Sequence, residues 1–174
     1  MNNNRFLLIL ILGLLSAIGP FSIDTYLSGF PTIAADLHVT VDAVSYSLSS
    51  FFIGISLGQL IYGPLLDRFG RKKPLMIGLV IYVVASLGCA IAHTIEMLII
   101  FRFLQALGGC VGMVAPRAVV RDIFPVSESA KIFSTLILIL GVSPIIAPTI
   151  GSYMIVSLGW QSVFWLQSLW AFYC

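Results

Sequence analysis

Residues 63–73 read Gly-Pro-Leu-Leu-Asp-Arg-Phe-Gly-Arg-Lys-Lys and lie between two long apolar runs. Five of these eleven residues are charged, although the whole chain of 174 residues has only nine Lys and Arg and seven Asp and Glu. Charge concentrated in a short segment between two apolar runs is typical of a loop that joins membrane-spanning helices. This segment therefore decides where the chain turns at the membrane surface.

The composition of the chain excludes whole classes of protein. Apolar residues make up 59% and charged residues only 9%, and the mean hydropathy is +1.07. A soluble domain has about 45–50% apolar and about 25% charged residues, because its surface has to be covered by polar groups. The sequence therefore excludes a soluble enzyme, a nucleic-acid-binding protein and a disordered tail, and it indicates a protein whose solvent is a bilayer.

The apolar runs predict an all-α fold. A transmembrane helix needs about 20 mostly apolar residues, and five runs are long enough. A sixth begins near Trp160 and stops at Cys174, some turns short of crossing, so we expect a polytopic bundle that is truncated within its sixth helix. The predicted spans are residues 5–29, 44–66, 74–92, 97–119, 132–156 and, incomplete, 160–174.

The first run has two interpretations. A basic residue followed by residues 6–15 resembles a signal peptide, and residues 17–19 offer a small-x-small cleavage site. Pro20 would directly follow such a cut, however, and the apolar run continues beyond it. We therefore expect an uncleaved first helix.

The basic residues of the loops predict the orientation. Arg5 precedes the first span, residues 68–73 hold four basic side chains, and Arg121 and Lys131 lie between the fourth and fifth spans. The alternate loops contain neither Lys nor Arg. Because short loops rich in Lys and Arg stay on the cytoplasmic side, we expect a multi-pass protein with a cytoplasmic N-terminus.

Asp67 is the unusual residue of the 63–73 loop. An acid at the C-terminal end of a helix is opposed by the helix macrodipole, so Asp67 needs a partner. That partner is either a nearby arginine or the N-terminus of another helix. In the same loop, Gly63 is expected to permit close helix packing and Gly70 a tight turn with positive φ.

The fourth span contains an arginine. A charged side chain inside a span is costly and normally faces a cavity or a partner, although an arginine near the end can also snorkel outward to the interface. One stripe of polar and small side chains recurs at three- and four-residue steps and is expected to face the bundle. Its members are Arg102, Gln105, Gly109, Met113 and Pro116.

The first span contains an acid at a similar depth. Asp24 lies about 6 Å and Arg102 about 9 Å from the outer surface, at 1.5 Å per residue. We therefore predict that the two form one proton-responsive site, with an interfacial, water-exposed carboxylate as the alternative for Asp24. Tyr26 joins this predicted set, and Tyr46 and Ser50 give the second span a part-polar face that is expected to line a cavity.

Small residues and prolines predict close packing and kinks. Prolines bend a span and free backbone carbonyls, whereas glycines let a neighbouring helix approach closely. The fifth span has Gly141, Pro144, Pro148 and Gly151, and two further small-xxx-small pairs are Gly54 with Gly58 and Gly108 with Gly112.

The three cysteines are an odd number and lie far apart in apolar runs. This pattern fits neither a disulfide framework nor a metal site. We expect Cys89, Cys110 and Cys174 to be small residues buried in the membrane. The sequence offers no nucleophile motif and no pair of metal ligands, so no enzyme activity, cofactor or metal is expected.

Several of these segments together resemble the major facilitator superfamily. Residues 102–109 are similar to its R-x-x-Q-G-x-G pattern, which is linked in that family to proton coupling, with Ala106 replacing the first glycine. Residues 141–151 look like a divergent antiporter motif with Ser143 before Pro144, and residues 24–31 resemble the D-x-Y-L-P segment of the Bcr/CflA drug-resistance branch. Residues 63–73 match the loop pattern G-x-L-x-D-R-x-G-R-K-x at Gly63, Leu65, Asp67, Arg68, Gly70, Arg71 and Lys72.

This resemblance implies the N-terminal six-helix half of a major facilitator in a bacterial inner membrane. In that family the acid of the 63–73 loop and its basic neighbours latch the cytoplasmic gate against a helix of the second half. The C-terminal six-helix half is missing here, so Asp67 is expected to have lost its partner.

The implied function is efflux of small drugs by proton antiport. The expected partners are a small-molecule substrate, protons, the lipid bilayer and the C-terminal half, and no nucleic acid. Two other classes remain open, namely a nutrient facilitator or importer of the same fold and a non-transporting truncated fragment.

Overall fold

The computed structural model describes residues 3–173, and it places side chains from Arg5 to Tyr173. Cys174, which the sequence assigns to the membrane interior, lies outside the described residues. The described chain is entirely α-helical, as predicted. Its helices are α1 (Asn3–Leu27), α2 (Phe30–Asp36), α3 (Val41–Phe69), α4 (Lys72–Ala90), α5 (Ile95–Ile123), α6 (Val126–Leu158) and α7 (Gln161–Tyr173).

Within the described residues, five helices are long and apolar enough to cross a membrane, namely α1, α3, α4, α5 and α6. They coincide with the five complete runs of the sequence, but several extend beyond them. α3, for example, begins at Val41 because Thr40 caps it by accepting a hydrogen bond from the backbone N–H of Ala43 (3.3 Å). Apolar runs end where charge begins, whereas helices continue to their caps.

Gly70 ends α3 with a φ of +79°. A positive φ strains residues with a Cβ, so glycine is the natural residue for the turn into α4. The tight turn predicted at Gly70 is therefore confirmed.

α2 is a short helix that the sequence did not predict. Pro31 lies in its first turn, and Ile33 and Ala34 are buried among the apolar side chains at this end of the bundle. Asp36 at its C-terminal end accepts a hydrogen bond from the indole N–H of Trp160 (2.8 Å). The connection between α1 and α3 is thus fastened to the start of α7.

α5 lies at the centre of the bundle. It packs mainly against α3 and α4 and also contacts α1, while α6 lies along α1 and α7 along α4. The exposed large apolar side chains of α4 and α7, such as Val80, Val84 and Phe172, cover one side of the bundle. The side formed by α3, α5 and α6 carries an open cleft.

Small residues set the distance between these helices. A Cβ at Gly54 would lie 2.7 Å from the carbonyl oxygen of Phe103, and one at Gly112 would lie 2.8 Å from the carbonyl oxygen of Leu15. Likewise, a Cβ at Gly151 would lie 2.7 Å from the carbonyl oxygen of Thr25. The structure thus places these glycines at close helix contacts, as expected.

Gly63 and Gly141 make no such contact within the described residues, so close packing there stays a prediction. In the described part of the chain, a Cβ at either position would meet nothing within 4 Å. Gly63 faces the open cleft, and Gly141 is exposed on α6. A glycine in a span therefore marks close packing only when it lies on the face that meets another helix.

We predict that Gly108→Ala lowers the melting temperature of the protein in detergent. The new Cβ would lie 2.6 Å from both the carbonyl oxygen of Gly78 and the backbone nitrogen of Tyr82. Relief requires α4 and α5 to separate, and overpacking of this kind costs about 1–3 kcal/mol. Gly141→Ala is the matched control, because its Cβ enters open space. Equal melting temperatures for the two variants would contradict the close approach of α4 and α5.

Candidate functional site

Arg102 is fully buried on α5. Its Nη1 donates a 2.8 Å hydrogen bond to Oε1 of Gln105, and Nη1 and Nη2 both lie 3.4 Å from the carbonyl oxygen of Ser22. Among the described residues, Nε has no hydrogen-bond partner. The alternative of an arginine that snorkels to the interface is therefore wrong.

Aromatic rings surround the guanidinium of Arg102. Its carbon Cζ lies 4.1 Å from the ring centroid of Phe51, 4.2 Å from that of Tyr26 and 5.8 Å from that of Phe164. Cations within about 6 Å of an aromatic face are attracted by its quadrupole, more strongly when water is excluded. The described residues provide Arg102 with no ion pair, so aromatic faces and neutral oxygens stabilise its charge.

Two glutamines link Arg102 to other helices through a chain of hydrogen bonds. Nε2 of Gln105 donates to Oγ of Ser86 on α4 (2.7 Å) and to Oε1 of Gln167 on α7 (2.8 Å). Nε2 of Gln167 donates in turn to Oγ1 of Thr25 on α1 (2.9 Å). All of these side chains are buried, so one polar network joins α1, α4, α5 and α7.

Two tyrosine–serine pairs extend the buried network. The hydroxyl of Ser22 donates to the carbonyl oxygen of Ile18, so the Tyr82 hydroxyl donates to Ser22. The hydroxyl of Ser47 donates to the carbonyl oxygen of Val44, so the Tyr26 hydroxyl donates to Ser47. The second pair brings α3 into the network.

The sequence identified only part of this network. Arg102, Gln105 and Tyr26 were expected, and they lie together in the structure. The spacing of Ser22, Thr25 and Tyr26 places three polar side chains on one face of α1, a signal that could have been used. The remaining members that the sequence analysis missed are Ser47, Tyr82, Ser86 and Gln167.

Asp24 does not pair with Arg102, which corrects the prediction of one shared site. At 100° per residue, the Asp24 side chain points about 160° away from that of Tyr26, whose ring faces the arginine. Its carboxyl oxygen Oδ2 is buried and has no hydrogen-bond partner among the described residues. Depth along the membrane was thus similar, but the two side chains project in different directions.

The other predicted site residues lie outside the network. Tyr46 is 66% exposed, and Ser50 donates to the carbonyl oxygen of Ile99 (2.9 Å). On α6, Pro144 is exposed and Pro148 half-buried, and both lie inside a helix that continues past them to Leu158.

A second cluster of charged residues surrounds Arg71, where the α3–α4 turn meets the end of α5. Nη1 of Arg71 donates to Oδ1 of Asp67 (2.8 Å), and Nε donates to Oδ2 of Asp122 (2.8 Å). Both hydrogen bonds raise the pKa of the Arg71 guanidinium above its ordinary value, and the bond to Asp122 has the larger effect. Asp67 therefore has the nearby arginine as a partner, one of the two alternatives that the sequence left open, whereas the latch against a helix of the second half stays a prediction. Arg68 lies over the ring of Phe69, 5.4 Å from the centroid.

A cleft of about 410 Å³ opens beside this cluster between α3, α5 and α6. Apolar side chains such as Leu66, Met113 and Phe133 form much of its wall. Arg117 and Arg121 line it together with Asp67 and Arg71. It is thus an amphipathic cleft at the end of the bundle that holds most of the basic residues.

The described residues form a multi-pass helical membrane bundle with a buried arginine network and a charged turn between its second and third spans. The chain belongs to the Major Facilitator Superfamily, whose family model matches residues 9–174. The resemblance given by residues 63–73 and 102–109 is therefore confirmed, and with it the N-terminal half of this fold. The proteins of this family are transporters and not enzymes.

Relatives of the chain include drug-resistance proteins. It is 40% identical over 162 residues to the uncharacterized MFS-type transporter YdgK of Bacillus subtilis, covering 92% of this chain and 40% of that protein. It is 35% identical over 166 residues to a bicyclomycin resistance protein homolog of Haemophilus influenzae (95% and 42%). It is 36% identical over 151 residues to the multidrug resistance protein MdtL of Escherichia coli (86% and 38%). The chain thus spans about 40% of the length of these relatives.

We predict that Arg71→Gln lowers the melting temperature more than Asp67→Asn does, because only the first leaves two carboxylates without their shared cation. Both losses are expected to be small, since exposed ion pairs contribute little, and to shrink in high salt, which screens surface charges. Arg68→Gln is the control, a neighbouring cation outside the described ion pairs. A loss for Arg68→Gln equal to that for Arg71→Gln would argue against the Arg71 cluster.

Proposed function

We propose that the chain is part of an exporter that moves small amphipathic molecules out of the cell in exchange for protons. The observation that carries this proposal is Asp24, an acid inside a span with a buried oxygen that has no partner among the described residues. The drug-resistance relatives, at 35–36% identity, support the choice of cargo class. Bicyclomycin, which one relative's name contains, is the natural first compound to test.

Asp24 is the proton carrier in this proposal. A charged carboxylate is costly in an apolar span unless it is paired, so protonation there is easily coupled to a change of environment. Arg102 and its network contain no carboxylate among the described residues and do not provide an alternative acid. The proton and the substrate therefore both act on Asp24, and they do so without Asp24 touching Arg102.

The network around Arg102 has a different task in this proposal. It holds five helices in one fixed arrangement. When Asp24 gains or loses a proton, these helices therefore move together as one rigid body. Gln105 and Tyr26 fix the arginine in place, and the substrate contact in this proposal falls to Tyr46 and Ser50 of α3.

The Arg71 cluster serves as a gate element. Its ion pairs connect the α3–α4 turn to α5, and the open cleft lies beside them. We expect these pairs to form in one conformation of the transporter and to rearrange in the other, which is a shift between populations set by differential stability. Asp67→Asn should therefore leave membrane insertion intact and lower transport.

We predict that Asp24→Asn abolishes proton exchange in the full-length transporter that contains this chain. The amide cannot take up a proton, so bicyclomycin should no longer dissipate a preformed pH gradient in everted membrane vesicles. Asp42→Asn is the matched control, because Asp42 is exposed in the first turn of α3.

Two outcomes of this measurement would contradict the proposal. Exchange by Asp24→Asn at the parental rate would show that another group carries the proton. Bicyclomycin leaving the acidic lumen of the everted vesicles together with protons, in the parent, would instead identify an importer.

We predict that the basic end of the bundle is cytoplasmic. Lys73 and His93 are both exposed at opposite ends of α4, which makes them a matched pair. In a cysteine-free background, Lys73→Cys should resist a membrane-impermeant thiol reagent added to intact cells, whereas His93→Cys should react. The reverse pattern would invert the orientation.

A further inference from the structure

Only one assignment of donors and acceptors is possible for the hydrogen bonds around Arg102. Arginine has only donors, so Gln105 has to present its carbonyl Oε1 to Arg102. Both protons of the Gln105 amide then face acceptors, Oγ of Ser86 and Oε1 of Gln167. Gln167 consequently presents its carbonyl to Gln105 and its own amide nitrogen to Thr25.

The chain of donors ends on the backbone. Thr25 donates its hydroxyl proton to the carbonyl oxygen of Phe21 (2.6 Å), and Ser86 donates its proton to the carbonyl oxygen of Tyr82 (2.7 Å). Both hydroxyls are therefore acceptors toward the amides. The orientation of each amide is determined by its neighbours, beginning with the charge on Arg102.

We propose that Gln167 of α7 is a positioning residue that holds the Gln105 amide with its carbonyl toward Arg102. Gln167 is buried and satisfies the second amide proton of Gln105, which would otherwise be unpaired in an apolar interior. Phe164, one turn earlier on the same face of α7, contacts the guanidinium itself. α7 thus controls both the cage around Arg102 and the orientation of its hydrogen-bond acceptor.

Two substitutions of Gln167 distinguish this positioning role from a role in packing alone. Glutamate at position 167 keeps an acceptor for Gln105 whether it is ionised or protonated, and its protonated form also donates to Thr25. Methionine has about the same length but only a weak acceptor. If Gln167 only filled space, the apolar Gln167→Met would be tolerated better than the buried acid of Gln167→Glu.

We expect the opposite order in the purified full-length transporter. Gln167→Glu should melt close to the parent, and Gln167→Met should melt several degrees lower. Turnover should fall about tenfold for Gln167→Met, because a buried unpaired donor is costly, and much less for Gln167→Glu. Ser168→Ala is the control on the same helix, since Ser168 is buried and, among the described residues, bonds only to the carbonyl oxygen of Trp165.

A double substitution tests whether Gln167 acts through Gln105. Gln105→Met leaves the carbonyl of Gln167 without its donor, so adding Gln167→Met removes an unpaired group. Replacing both partners of a buried hydrogen bond is often nearly neutral where replacing one is not. The double variant should therefore melt no lower than Gln105→Met alone.

Two results would overturn the proposal. One is that Gln167→Met melts at the same temperature as Gln167→Glu or higher. The other is that the two losses add in the double variant. Melting needs neither a substrate nor a proton gradient, so these results are independent of whether the chain belongs to a drug exporter.

Discussion

The desolvation of one guanidinium governs the architecture of this bundle. An ion taken from water into a medium of low dielectric constant loses several kcal/mol of solvation unless other groups replace the water. Arg102 obtains that replacement from rings on α1, α3 and α7, from an amide on its own helix and from a backbone carbonyl of α1. Because the replacing groups come from several helices, their arrangement around α5 is determined by the arginine.

Close helix packing makes this solvation possible. Helices without bulky side chains at their contacts bring backbones and short polar side chains within hydrogen-bond reach. Gly54 and Gly112 lie where α3 and α1 approach α5, and Gly108 lies where α4 does. The polar network and the small residues are therefore two parts of one packing solution, since neither would hold the helices without the other.

The sequence predicted what depends on position along the chain, and it also predicted which face of α5 carries Arg102 and Gln105, but it failed on the direction in which Asp24 points from α1. Hydropathy and charge located the five spans, and the helix macrodipole correctly required a partner for Asp67. Depth arithmetic placed Asp24 and Arg102 at one level, but it carries no information about which way each side chain points. Gln167 was missed because a single glutamine in an apolar run gives no sign of its partner on another helix.

The serine and threonine hydroxyls of the network give their protons to backbone carbonyl oxygens, and this arrangement has a consequence for proton leakage. A proton crosses a membrane along groups that can both accept and release one in turn. Amides exchange protons poorly, and Ser22, Ser47, Ser86 and Thr25 are already committed to the backbone. Among the described residues, these serines and this threonine therefore do not form a chain of hydroxyls free to relay a proton through the centre of the bundle.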